Sequence, residues 1–135
     1  MRVRWWIALI AALSIVALIA LVVPWPSGTL RDVASRFSPA EGTENGPGTY
    51  EPSRLFCLGD NSCPSVHRSW TAPSPVTTEQ LQTRIDAAGY DAKVEGNCSS
   101  GSCIARGSAQ GWSVTIVAFR NAGEPATEVS LSVGR

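Results

Sequence analysis

Nineteen consecutive residues, Trp5 to Val23, carry no formal charge, and Ser14 is the only conventionally polar side chain among them. As a helix rising about 1.5 Å per residue, the run reaches about 28 Å, close to the hydrocarbon thickness of a bilayer. Trp5 and Trp6 lie at one end and Trp25 at the other, as interfacial aromatic belts require, and Pro24 and Pro26 stop a helix just beyond. The sequence therefore predicts a transmembrane helix over 5–23. A cleaved signal peptide would have a shorter apolar region and a small-x-small cleavage site, whereas this run exits through Val22-Val23-Pro24-Trp25-Pro26. Arg2 and Arg4 precede the run, while Arg31 and Arg36 lie farther off, mixed with Asp32, Glu41 and Glu44. The positive-inside rule makes residues 1–4 a cytoplasmic tip and puts the bulk of the chain outside the cell membrane, in a single-pass arrangement.

Beyond the apolar run, residues 24–53 are rich in Gly, Pro, Ser, Thr and Glu, notably over Glu41-Gly-Thr-Glu-Asn-Gly-Pro-Gly48. That composition predicts a flexible extracytoplasmic linker, and its 27 residues from Ser27 to Ser53 would average about 26–31 Å end to end. Inside it, Leu30, Val33, Ala34 and Phe37 fall at helical spacing. A short amphipathic helix on the outer leaflet and a frayed continuation of the membrane helix both fit this pattern.

Residues 54–135 show the periodicity of a folded domain. Thr77 with Gln80 reads as a capping box, Val76 and Leu81 as its hydrophobic staple, and Gly89 as the helix stop, predicting a helix over 78–88. Alternation then predicts strands at Tyr90–Glu95, from Cys103, at Trp112–Phe119 and over Val129–Val133. Arg54–Leu58 and Val66–Thr71 form a candidate hairpin around Gly59-Asp60-Asn61. The expected fold class is α+β: one N-terminal transmembrane helix, then a small disulfide-bonded domain with one helix packed on an antiparallel β-meander.

Outside the membrane the four cysteines read as two disulfides. Cys57–Cys63 and Cys98–Cys103 are favoured because each pair brackets a Gly/Ser/Asn-rich turn, although sequence permits three connectivities. Their spacing does not suit structural zinc, and the Cys-x-x-Cys of redox proteins is absent.

Eleven basic residues balance eleven acidic ones, and the C-terminal domain is balanced too, so the basic surplus that nucleic-acid binding needs is missing. No serine sits in a nucleophile motif, no glycine pattern opens a phosphate-binding helix, and the lone His67 has no second histidine for a metal. No catalytic residue, metal ligand or cofactor is expected. Trp70, His67 and Arg68 form the candidate binding set, Trp70 as a stacking surface.

The run Cys63-Pro-Ser-Val-His-Arg-Ser-Trp70, followed by a capped helix ending Ala88-Gly-Tyr90, resembles extracytoplasmic domains of single-pass membrane proteins from actinobacteria. That resemblance covers Cys57 onward and implies location and fold. Leu81 through Val94, with Val129-x-Leu131-x-Val133, is also similar in architecture to PASTA domains, which bind cell-wall fragments. The glutamine- and proline-bearing segment of that family is missing, and the cysteines are foreign to it. The function these features lead one to expect is a membrane-tethered, non-enzymatic binding module for an envelope protein or cell-wall component. The alternative is an accessory subunit of an envelope complex, with small residues Ala8, Ala11, Ala12 and Ser14 as a helix-packing face. A small enzyme ranks last.

Overall fold

A computed structural model describes residues 11–16, 29–51 and 63–134. After a helical stretch at 11–16, the order is α1 (Leu30–Ser35), β1 (Thr43–Glu44), β2 (Thr49–Glu51), β3 (Ser65–Ala72), α2 (Thr78–Ala87) and β4 (Asp91–Asn97). A 3-10 turn (Cys98–Ser100), β5 (Ser102–Ala109), β6 (Trp112–Phe119) and β7 (Thr127–Gly134) complete it.

Strict alternation makes β4 to β7 an antiparallel meander, and β3 pairs with the far side of β7. Pairing registers align the side chains in cross-strand rows. Val66, Val133, Val114, Gly107 and Ala92 form one row; Trp70, Val129, Ala118, Cys103 and Gly96 form another on the same face. This is the inner face, and both α1 and α2 contribute buried residues to the core over it. Gln110 and Gly111, both at positive φ, make the two-residue turn joining β5 to β6 with the right-handed twist a hairpin needs.

The helix expected at 78–88 is observed as α2, with the full capping box: Gln80 N–H donates to Thr77 Oγ1 at 3.2 Å, and Thr77 N–H to Gln80 Oε1 at 2.9 Å. Gly89 ends it at φ +72°. From α2, the Gln82 amide donates to Ala92 O and accepts from Val94 N–H, occupying backbone groups along the free edge of β4. An unguarded edge would be a template for another strand.

The expected fold class needs correction. The domain is a mostly β, seven-stranded antiparallel sheet with few and short helices, larger than one helix on a meander. The extra strands come from the segment expected to be a flexible linker. Leu30, Val33, Ala34 and Phe37 are buried in the core, so the helical spacing there marks a helix packed on the sheet instead of on lipid. β1 and β2 then pair along β3 as its outer edge.

Among the described residues no helix is long and apolar enough to cross a membrane, and most of the span expected over 5–23 falls outside them. Residues 5–10 and 17–23 lie outside the described residues, as do Arg54–Leu58 of the expected hairpin. The other half of that hairpin, Val66–Thr71, belongs to β3.

Cys98 and Cys103 form a disulfide, their Cα atoms 4.7 Å apart, clamping the 3-10 turn between β4 and β5. Cys57 lies outside the described residues, and Cys63 is half-buried just before β3. Replacing Cys98 and Cys103 together by serine should lower the stability measured by urea unfolding by about 2 kcal/mol, the loop-entropy value for so short a ring.

Candidate functional site

Strand geometry decides what the candidate residues on β3 can do. Alternation sends His67 to the outer face and Arg68 and Trp70 to the inner one, so the three do not converge on one surface. Trp70 is 2% exposed and packs edge-on against Phe37, ring centroids 5.5 Å apart. It serves the core and is not available for stacking a ligand.

Arg68 is a clamp. Its guanidinium grips the Glu44 carboxylate with two hydrogen bonds of 2.7 and 2.8 Å and donates to Ala34 O at 3.0 Å, tying β1 and the end of α1 to β3. It also lies 5.0 Å from the Trp70 ring centroid. Hydrogen bonding from Arg68 holds the Glu44 carboxyl below its ordinary value, and the same bonds raise the Arg68 guanidinium further. Nearby, the Tyr90 hydroxyl donates to Val33 O from within the core, and burial pushes its pKa up to about 12, against the opposing pull of Arg36 and Arg68.

These shifts predict both limbs of a stability profile. The Glu44 contribution is present above the ordinary carboxylate pKa and is lost as pH falls through the depressed one. Tyr90 acts in the opposite sense. Its unfolded form loses a proton near 10 while the folded form keeps it to about 12, so stability should fall across that window by about 2–3 kcal/mol. Urea midpoints measured against pH should show both limbs, and Tyr90→Phe should flatten the alkaline one.

The outer face carries no helix among the described residues. It is lined by hydroxyls: Ser69 and Thr71 on β3, Ser130 and Ser132 on β7, Ser113 and Thr115 on β6. Along its edge, β1 and β2 pair with β3 in registers offset by two residues, which leaves Asn45 to Gly48 as a bulge. Asn45 pins the bulge, its N–H donating to Ser69 O at 2.8 Å and its side-chain oxygen accepting from the Thr71 hydroxyl at 3.0 Å. Gly48 lets it lie close, because a Cβ there would come within 2.7 Å of His67 O. Bulges at sheet edges commonly shape binding sites.

Beneath this bulge is a recess of about 230 Å³ lined by Asn45, His67, Ser69, Thr115, Ser130 and Ser132, with Val117 at its inner limit. A shallower recess of about 400 Å³, lined by Glu95, Ser102, Ile104 and Val117, adjoins it. The two share Val117 and follow one cross-strand row, Ser69–Ser130–Val117–Ile104–Glu95, over about 19 Å of sheet. Phe119, 47% exposed, stands two residues along β6 from Val117 on the same face. The first recess supplies neutral hydrogen-bonding groups, and the shared part an apolar floor.

Of the sequence-derived candidates, only His67 lies in the open recess. Ser69, Thr115, Ser130 and Ser132 each read as the solvent phase of their own strand, whereas the sequence suggests burial on both faces near the end of β6 for Val117 and Phe119. Phe119 is instead 47% exposed and Val117 half-buried. Among the described residues no group of three or more His, Cys, Asp or Glu side chains could hold a metal ion. Comparison with protein-family models, curated proteins and solved structures finds no match for the chain.

Proposed function

We propose that this chain is a membrane-tethered, non-enzymatic binding module acting outside the cytoplasmic membrane. Its contact surface is the open sheet face, and its ligand is a neutral, polar segment of an envelope protein. The observation that carries this reading is one-sided coverage: both helices pack over the inner face, and a groove crosses the other. Large exposed faces with a shaped recess are where partners bind. Of the two titratable residues that line the recess under the bulge, His67 faces it, and Arg68, turned to the other face, is committed to Glu44. Hydroxyls and an amide favour recognition over proton transfer. The apolar run Trp5–Val23 and the resemblance to extracytoplasmic domains support the membrane placement.

Photocrosslinking in cells from Ser130, compared with Glu79 on the exposed side of α2, tests the assignment. A single envelope-protein adduct from Ser130 and none from Glu79 is expected. Equal adducts from both positions would remove the open face as the site, and a wall-glycan adduct would replace protein as the ligand class.

A further inference from the structure

With α1 inside the domain, the tether is far shorter than composition suggested. Thr29 caps α1 and Leu30 is already core, so only residues 24–29 separate the apolar run from the fold. The seven peptide steps from Val23 to Leu30 cover at most about 25 Å even when fully extended. An eight-residue strand of this sheet is itself about 26 Å long. The tether therefore matches one strand length.

The chain enters at a defined end of the sheet. The Arg31 guanidinium lies 4.3 Å from the Tyr50 ring centroid, and Tyr50 pairs with Val66 near the start of β3. With the Gln110 amide oriented to face it, the Arg36 guanidinium donates to its oxygen at 2.8 and 2.9 Å, in the β5–β6 turn at the same end. Arg31 on α1 and Arg36 at its C-cap are exposed, and Tyr50 is 41% exposed. Arginine stems and tyrosine rings are suited to headgroup depth, with apolar bodies and polar tips. Asp32 is tied to Arg36 at 2.7 Å, and Glu51 lies next to Tyr50, so the end is near neutral and tether length is the main restraint.

We infer that the domain rests on the lipid headgroups of its own membrane with the α1–β2 end down, which rests on the proposed reading of residues 5–23 as the anchor. Turning the opposite end down would lift Leu30 about a full strand length from the surface and stretch the tether to its limit. With α1 down, the strands stand up from the bilayer and the open face looks sideways. The groove row lies four residues up the strands from the lower rim, about 13 Å. Its partner is then a polypeptide carried alongside in the same membrane.

The test uses the full chain in phosphatidylcholine–phosphatidylglycerol vesicles, with a benzophenone side chain placed singly at Leu13, Ser35, Ser74 or Asn121, and lipid adducts read by mass spectrometry. Ser74 follows the end of β3 and Asn121 the end of β6, so both mark the end of the sheet opposite α1. Adducts at Leu13 and Ser35, severalfold above Ser74 and Asn121, are expected. Adducts at Leu13 with no preference between Ser35 and the opposite end would overturn the seating while leaving the anchor intact. Absence of lipid adducts at Leu13 would remove the anchor, and the seating with it.

Discussion

Phe37→Ala should destabilise the domain by about 3–5 kcal/mol, a loss that truncating a residue in a flexible spacer could not produce. Phe37 is 0% exposed and sits between Trp70, in edge-on contact at 5.5 Å, and Tyr90, stacked at 6.4 Å. Removing its ring leaves a void against two aromatics that cannot both relax into it. For a domain of this size, the change corresponds to a fall in Tm of at least about 12 °C. Because small domains have only about 5–15 kcal/mol in total, much of the margin would disappear. Limited trypsin digestion gives a local readout: Arg31 sits on α1 and Arg36 caps its C-terminus, and cleavage after them should accelerate in the variant. Unchanged melting and unchanged cleavage would return residues 30–37 to the status of a spacer.

That result bears on why part of this fold was legible and part was not. Local signals were written plainly. Thr77, Gln80 and Gly89 mark both ends of α2, and the alternation of Val129, Leu131 and Val133 with polar residues marks β7. The disulfide between Cys98 and Cys103 followed from their shared turn. The spacing of Leu30, Val33, Ala34 and Phe37 was also visible, but a helical period does not say what covers the apolar face. Its destination is set by Trp70 and by the Arg68 hydrogen bond to Ala34 O, across 34 residues of sequence. β1 and β2, two and three residues long in a Gly/Pro/Glu-rich stretch, have no strand pattern of their own and exist through pairing with β3. Such long-range pairing is the information local periodicity lacks.

The same gap hid the groove. Ser130 and Ser132 look like ordinary solvent-phase residues until the β3–β7 register sets Ser130 opposite Ser69 and Ser132 opposite His67. Thr115 and Val117 join the same rows through the β6–β7 register. The bulge forms because β1 and β2 attach to β3 in registers two residues apart. Glycine at 48 is consistent with a bulge, though in the sequence it reads only as part of a flexible spacer. The site is thus a property of strand pairing, carried by residues that are individually ordinary.

Trp70→Ala should also cost about 3–5 kcal/mol, and it separates the two roles open to that residue in sequence. A surface tryptophan that stacks a ligand would lose affinity on truncation while leaving the melting temperature nearly unchanged. At 2% exposure, with Phe37 against its edge and the Arg68 guanidinium 5.0 Å from its ring centroid, Trp70 should behave in the opposite way. Its loss should loosen the inner face where α1 and β1 attach, so tryptic cleavage after Arg31 and Arg36 should accelerate as it does for Phe37→Ala. Trp70→Phe keeps a ring near Phe37 and should recover a good part of the loss. His67→Ala supplies the converse: an exposed outer-face side chain should change stability by no more than about 0.5 kcal/mol. On the proposed reading, that change should instead weaken crosslinking from Ser130, because His67 and Ser130 line the same recess. If Trp70→Ala left stability intact, the packing of the segment 30–44 against β3 would be wrong, and the outer edge of the sheet would have to be redrawn with it.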